Sequence, residues 1–200
     1  MYRLSCMIIG YLFGCYLTAE FIVKRETGKS VSELGSGNPG MVNVAKELGK
    51  KDGFLVLLGD ILKVVIAYAI CYHLFHHSLG RLIALYTGLG TILGHDYPFW
   101  HGGRGGMGVT VTCTSLILFF PTWGILACVI GLIVLMVTGY KPIANLVIPA
   151  AATLLALMTR GGEAGGVIFV FTLLMLFKNL PGLRRVANGE EIKVLRRKSS

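Results

Sequence analysis

Residues Gly53–Phe75 read GFLVLLGDILKVVIAYAICYHLF, an apolar run whose only charges are Asp60 and Lys63. A bilayer core takes roughly 20 residues of helix, so this length and composition predict a membrane span. Asp60 and Lys63 are three residues apart and share one helical face, where pairing offsets the cost of placing either charge in lipid. Working outward, runs of the same character at 4–23, 80–97, 106–120, 122–139, 142–159 and 165–178 are bounded by charge or by Gly and Pro. The expectation is an all-α, polytopic membrane helical bundle of about seven transmembrane helices, forming a single integral membrane domain over 1–200.

Composition agrees with this reading. The 200 residues are 54% hydrophobic and 14% charged, against about 25% charged in an average soluble domain, and mean hydropathy is +0.70. Residues 4–23 exceed the apolar length of a signal peptide and lack a clear cleavage site, so they read as a retained first span. Cys6, Cys15, Cys71, Cys113 and Cys128 all fall in apolar stretches without metal-ligand spacing and read as packing residues. His73, His76 and His77 read as interfacial side chains rather than a metal site, because no carboxylate lies nearby in the sequence. The net charge of +9 is assigned to cytoplasmic loops and anionic lipid, not to nucleic acid.

The basic residues also orient the chain. Fifteen of the Lys and Arg residues fall in the first, third and fifth loops and the C-terminal tail, against Arg3, Arg81 and Arg160 on the opposite side. Short basic loops stay in the cytoplasm. The expected topology puts the N-terminus outside and the C-terminus inside, with every chemically suggestive loop facing the cytoplasm.

Two of those loops carry the chemistry. The first contains Gly35-Ser36-Gly37-Asn38-Pro39-Gly40, then Asn43 and Lys46. The third runs from Gly94-His95-Asp96-Tyr97-Pro98, past Trp100 and His101, into Gly102-Gly103-Arg104-Gly105-Gly106-Met107-Gly108. Consecutive glycines before a helix can turn backbone N–H groups toward an anion, and the helix dipole adds to the attraction. Arg104, the one cation inside the glycine run, would clamp phosphate oxygens. Glycines that merely permit close helix packing remain an alternative. No His-x-x-x-x-Asp spacing occurs anywhere.

Together these segments resemble the PlsY family of bacterial acyl-phosphate:glycerol-3-phosphate acyltransferases. The family's Ser-Gly-Asn-Pro-Gly, Asn and basic residue are similar to Ser36–Gly40, Asn43 and Lys46. Its Gly-His-x-Phe-Pro and glycine loop are similar to Gly94, His95, Tyr97, Pro98 and the run from Arg104 to Gly108. The resemblance implies acyl transfer from acyl phosphate to glycerol 3-phosphate, with no cofactor and with membrane lipids as surroundings. It implies Ser36, Asn43, Lys46, His95 and Arg104 as catalytic residues. Gly37, Asn38, Gly40, Gly103, Gly105, Gly106, Gly108, Lys141 and Asn145 are implied to bind substrate or phosphate. The chain departs from the family pattern at Lys46, Met107, Pro142, Asn145 and Asn179. The alternative reading is a re-specialised relative that binds a phosphorylated lipid or small anion without transferring an acyl group.

Overall fold

The computed structural model describes residues 1–194, so Arg196, Arg197 and Lys198 of the basic tail lie outside the described residues. The described elements are α1 (Tyr2–Gly14), α2 (Thr18–Thr27), α3 (Met41–Glu47), α4 (Lys50–Leu79), α5 (Leu82–Asp96), α6 (Val109–Phe119), α7 (Pro121–Thr138), α8 (Lys141–Thr159) and α9 (Gly162–Ala187), with short 3-10 turns at Val31–Glu33 and Phe99–His101. Each expected span falls on helix, α1 and α2 together making the first. Five segments, Tyr2–Thr27, Lys50–Leu79, Pro121–Thr138, Lys141–Thr159 and Gly162–Ala187, are long and apolar enough to cross a membrane. α5 and α6, at 15 and 11 residues, are shorter than the roughly 20 residues of a full crossing. The last helix runs to Ala187 rather than 178, with Pro181 inside it.

The chain forms two compact units, Met1–Ser115 and the remainder from Leu116. In the first unit α1 and α5 pack backbone against backbone. Gly10 and Gly14 on α1, and Gly90 and Gly94 on α5, form two small-xxx-small pairs. A Cβ at these positions would strike the carbonyl oxygens of Thr87, Thr91, Met7 and Tyr11, respectively. Small residues allow this approach, and van der Waals contact along the seam holds the helices together where lipid supplies no hydrophobic drive. Most of α5 is consequently buried, including its last two residues, His95 and Asp96.

The break between α1 and α2 was not legible as an interruption of the apolar run. Leu17 is extended, with φ −93° and ψ 96°. The carbonyl of Cys15 accepts from Trp100 Nε1 at 2.7 Å, and that of Tyr16 accepts from Lys63 Nζ at 3.1 Å. Non-helical backbone at membrane depth persists only when protein satisfies it, and here two side chains from distant segments do so.

In the second unit Gly131 of α7 makes room for Ile148 of α8. α8 and α9 are joined by polar pairs: Asn145 Nδ2 donates to Asn179 Oδ1 at 2.9 Å, and the hydroxyls of Thr153 and Thr172 meet at 3.0 Å. After α9 the chain returns to the α7–α8 turn, where Val194 N–H donates to the Gly139 carbonyl at 2.9 Å.

Candidate functional site

The first loop is built on buried side chains. Glu20, at the base of α2, accepts from the Val31 N–H at 2.8 Å and from the Ser30 hydroxyl at 3.1 Å. Ser30 and Glu33 close a capping box around the 3-10 turn. Asn43 of α3 is buried; its Oδ1 accepts from Ser36 N–H at 2.9 Å and Ser36 Oγ at 3.0 Å, while its Nδ2 donates to the Leu34 carbonyl at 2.9 Å. Ser36 and Asn43 are thus brought together, with the serine proton directed to the amide and the Ser36 oxygen's lone pairs available as acceptors. Gly37 takes φ +70°, and a Cβ there would sit 3.0 Å from the Ser32 carbonyl oxygen. The Gly40 N–H donates to the Asn38 carbonyl at 2.8 Å. Lys46 lies exposed in the last turn of α3. Glu20 was missed by sequence reasoning; its signal was the single acid inside the apolar run 4–23.

A second cluster joins three helices or helix ends. Lys63 Nζ is 2.8 Å from Asp60 Oδ1, 2.7 Å from His95 Nδ1 and 3.1 Å from the Tyr16 carbonyl. All three side chains are buried. The ion pair expected within α4 is therefore present, but it also grips His95. The spacing of Asp60 and Lys63 betrayed their pairing, whereas the 32 residues between Lys63 and His95 concealed the third member.

The glycine loop wraps the end of α5, and this corrects the reason given for its glycines. The N–H groups of Gly103, Arg104, Gly105 and Gly106 donate to the carbonyls of Pro98, His101, Asp96 and His95 at 3.0, 3.1, 3.1 and 3.0 Å. They are engaged within the loop and not turned outward as an anion cradle. What the glycines provide is closeness. A Cβ at Gly106 would collide with His95 Nε2, and one at Gly108, where φ is +66°, would lie 2.8 Å from Asp96 Oδ1. α6 begins where Thr112 N–H reaches the Gly108 carbonyl at 2.8 Å, and its first N–H groups have no intrahelical acceptor. The Arg104 side chain is exposed.

Lys141 and Asn145 belong to the second unit, Lys141 as the first residue of α8 and Asn145 bonded to Asn179. In the first unit an apolar cleft of about 450 Å³ is lined by Leu12, Phe13, Tyr16, Gly59, Leu62, Lys63 and Ile66. It lies within the roughly 300–1,000 Å³ usual for small-molecule sites.

Residues 4–189 match the family described as glycerol-3-phosphate acyltransferase. Glycerol-3-phosphate acyltransferase 1 of Lactobacillus johnsonii is 36% identical over 172 residues, covering 86% of this chain and 82% of the relative. The enzyme of the same name from Lactobacillus acidophilus is 37% identical over 182 residues, covering 89% and 85%. Crystal structures of PlsY, an integral membrane glycerol 3-phosphate acyltransferase, are similar throughout. Its glycerol 3-phosphate form gives a TM-score of 0.84 at 27% identity, covering 96% of each chain. Its lysophosphatidic acid form gives 0.83 at 27% identity, covering 96% of this chain and 95% of PlsY. A membrane-embedded acyltransferase fold is thereby defined. This chain belongs to the glycerol-3-phosphate acyltransferase family.

Proposed function

We propose that this protein transfers a fatty acyl group from an acyl phosphate to the 1-hydroxyl of glycerol 3-phosphate, giving lysophosphatidic acid and phosphate. The hydroxyl oxygen attacks the acyl carbonyl, the new ester C–O bond forms, and the bond from carbonyl carbon to phosphate oxygen breaks. The hydroxyl proton leaves with the departing phosphate. Such a reaction needs an apolar channel for the tail, cations for two phosphates and donors for a carbonyl oxyanion. The observation that carries the reading is that one residue, Lys63, both lines the apolar cleft and holds His95 against the glycine loop. Arg104 and Lys46 supply the exposed cations, and Ser36, oriented by Asn43, supplies an acceptor for the glycerol hydroxyl. The two loops meet around one anionic site in this proposal. The basic loops, and with them the site, face the cytoplasm of a bacterial cell, which supports access of both phosphorylated substrates from that side.

A second reading is favoured by one observation. Asn145 donates to Asn179, and Asn179 donates to the Met175 carbonyl at 2.9 Å, so two positions that depart from the family pattern bond to helix partners. On this reading the protein binds a phosphorylated ligand without transfer. Purified protein in detergent, given palmitoyl phosphate and labelled glycerol 3-phosphate, separates the two. Labelled lysophosphatidic acid is expected, with Arg104→Ala lowering kcat/KM by roughly tenfold or more, as for a lost charged contact to an anion. Saturable binding of labelled glycerol 3-phosphate with no acylated product would establish the second reading instead.

A further inference from the structure

The apolar cleft in the first unit is an open groove. Leu12, Phe13 and Tyr16 form one wall, and Gly59, Leu62, Lys63 and Ile66 of α4 form the other. The spacing of these four puts them on one face of α4, so the groove runs along the helix axis. Its rim is open: Leu12, Leu62 and Ile66 are 59%, 45% and 45% exposed, on segments apolar enough to cross a membrane. Lys63 is buried and its ammonium is engaged by Asp60, His95 and the Tyr16 carbonyl, which accounts for all three of its donors. The groove therefore offers an apolar surface and no free charge. One end is marked by the break at Leu17. Beside it the Tyr16 ring stacks on Phe21 with centroids 4.6 Å apart, and Phe21 lies 6.4 Å from Trp100. Such aromatic side chains gather at the membrane–water interface. The other end lies deeper, because Ile66 is in the middle of α4 (Lys50–Leu79).

We propose that this groove holds only the near part of the acyl donor's chain, entered sideways from the bilayer, and leaves the far part among the lipids. The length decides this. From Gly59 to Ile66 the helix rises by about 10 Å, at about 1.5 Å per residue. An extended chain of carbons joined by bonds of about 1.52 Å advances about 1.25 Å per carbon, so the groove spans roughly eight carbons. The tail enters by its side, because the rim is open to the apolar phase along its length, and it lies with its carbonyl end toward Tyr16 and the interface. Lipid tails are as apolar as the groove, so added length brings little net attraction and contact must come from packing. A branch within the groove collides with its walls, whereas a branch beyond Ile66 meets only lipid. The protein thus reads chain shape close to the carbonyl and is indifferent to the far end. The donor's identity rests on the acyl-transfer reading.

Hexadecyl phosphonate, which cannot transfer its chain, carries a diazirine at the fifth or the thirteenth carbon in the test. Both probes have the same length and partition alike into lipid nanodiscs holding the protein. On illumination the near probe is expected to label residues 12–16 or 59–66, and the far probe to label lipid. Leu62→Trp should lower the near-probe labelling by roughly tenfold, as for a bulky side chain that overpacks a fitted site. Val65→Trp, on an exposed part of α4 outside the groove, should leave it unchanged. In the transfer assay a methyl branch at the fifth carbon of palmitoyl phosphate should lower kcat/KM by roughly tenfold, and a branch at the thirteenth should leave it as for the unbranched donor. Equal labelling of the groove by both probes, near-probe adducts elsewhere, or no adduct on the protein at all overturns the proposal. So does equal labelling by a phosphatidylcholine with a diazirine at the fifth carbon, which would make an ordinary lipid tail the occupant. The expected labelling with no lysophosphatidic acid formed from palmitoyl phosphate would leave the chain site standing and remove the acyl-transfer reading; product with adducts elsewhere would do the reverse.

Discussion

Introducing one methyl group at Gly90 or at Gly166 should change stability in opposite directions. At Gly90 the added Cβ would strike the Met7 carbonyl oxygen and lie 2.8 Å from the Met7 carbonyl carbon and 2.9 Å from its Cα. Carbon pairs rest at roughly 3.5–4.0 Å, so α1 and α5 must separate by about 1 Å, which forfeits a quarter to a half of each dispersion contact along the seam. Overpacking generally costs about 1–3 kcal/mol, and backbone as the obstacle puts Gly90→Ala toward the upper end. Gly166 lies inside α9 with nothing near its Cβ direction. There the substitution only removes glycine's excess freedom, and Gly166→Ala should stabilise by about 0.5–1 kcal/mol. The two variants should therefore differ by at least about tenfold in unfolding equilibrium constant, since about 1.4 kcal/mol is a factor of ten. Reversible unfolding in mixed micelles, followed by the fluorescence of Trp100 and Trp123, measures this. If Gly90→Ala unfolds at the same or higher denaturant than Gly166→Ala, the backbone seam between α1 and α5 is wrong.

Asp60→Asn alone leaves a buried ammonium without its carboxylate and should cost about 3–5 kcal/mol. Adding Lys63→Met should recover part of that loss in the same unfolding assay, and a double variant less stable than Asp60→Asn would refute the pairing argument. Asn145→Ala and Asn179→Ala should couple by about 0.6–1.7 kcal/mol, the range for interhelical polar contacts in membranes; a double-mutant cycle giving no coupling would show that the amide pair contributes nothing to stability. In a background with the five native cysteines replaced, a membrane-impermeant maleimide applied to whole cells should label Ser78→Cys and spare Gly102→Cys, and equal labelling would overturn the cytoplasmic placement of the glycine loop.

How much of this was legible in the sequence depended on whether the cause was local. Membrane segments announce themselves because lipid must be met by apolar side chains along the whole segment, and the helices fall where those runs predict. The pairing of Asp60 with Lys63 was legible for the same reason, since helical geometry fixes neighbours three residues apart. The break at Leu17 was not, because its cost is offset by Trp100 and Lys63, and nothing near residue 17 reveals them. The glycine loop shows how composition can indicate a place while misassigning its physics. Glycines offer N–H donors and offer space, and which of the two matters is decided by what lies opposite. Opposite Gly105 and Gly106 are the last carbonyls of α5, which would otherwise go without partners at a helix end. Those carbonyls take the donors, and only the space remains. The space brings His95 Nε2 and the Asp96 carboxylate to the loop. On the proposed acyl-transfer reading, charge recognition would then rest on side chains such as Arg104, because the N–H groups of Gly103, Gly105 and Gly106 are engaged within the loop. It follows that Arg104 and Lys63 should be far less replaceable for function than a reading based on glycine backbone donors would imply.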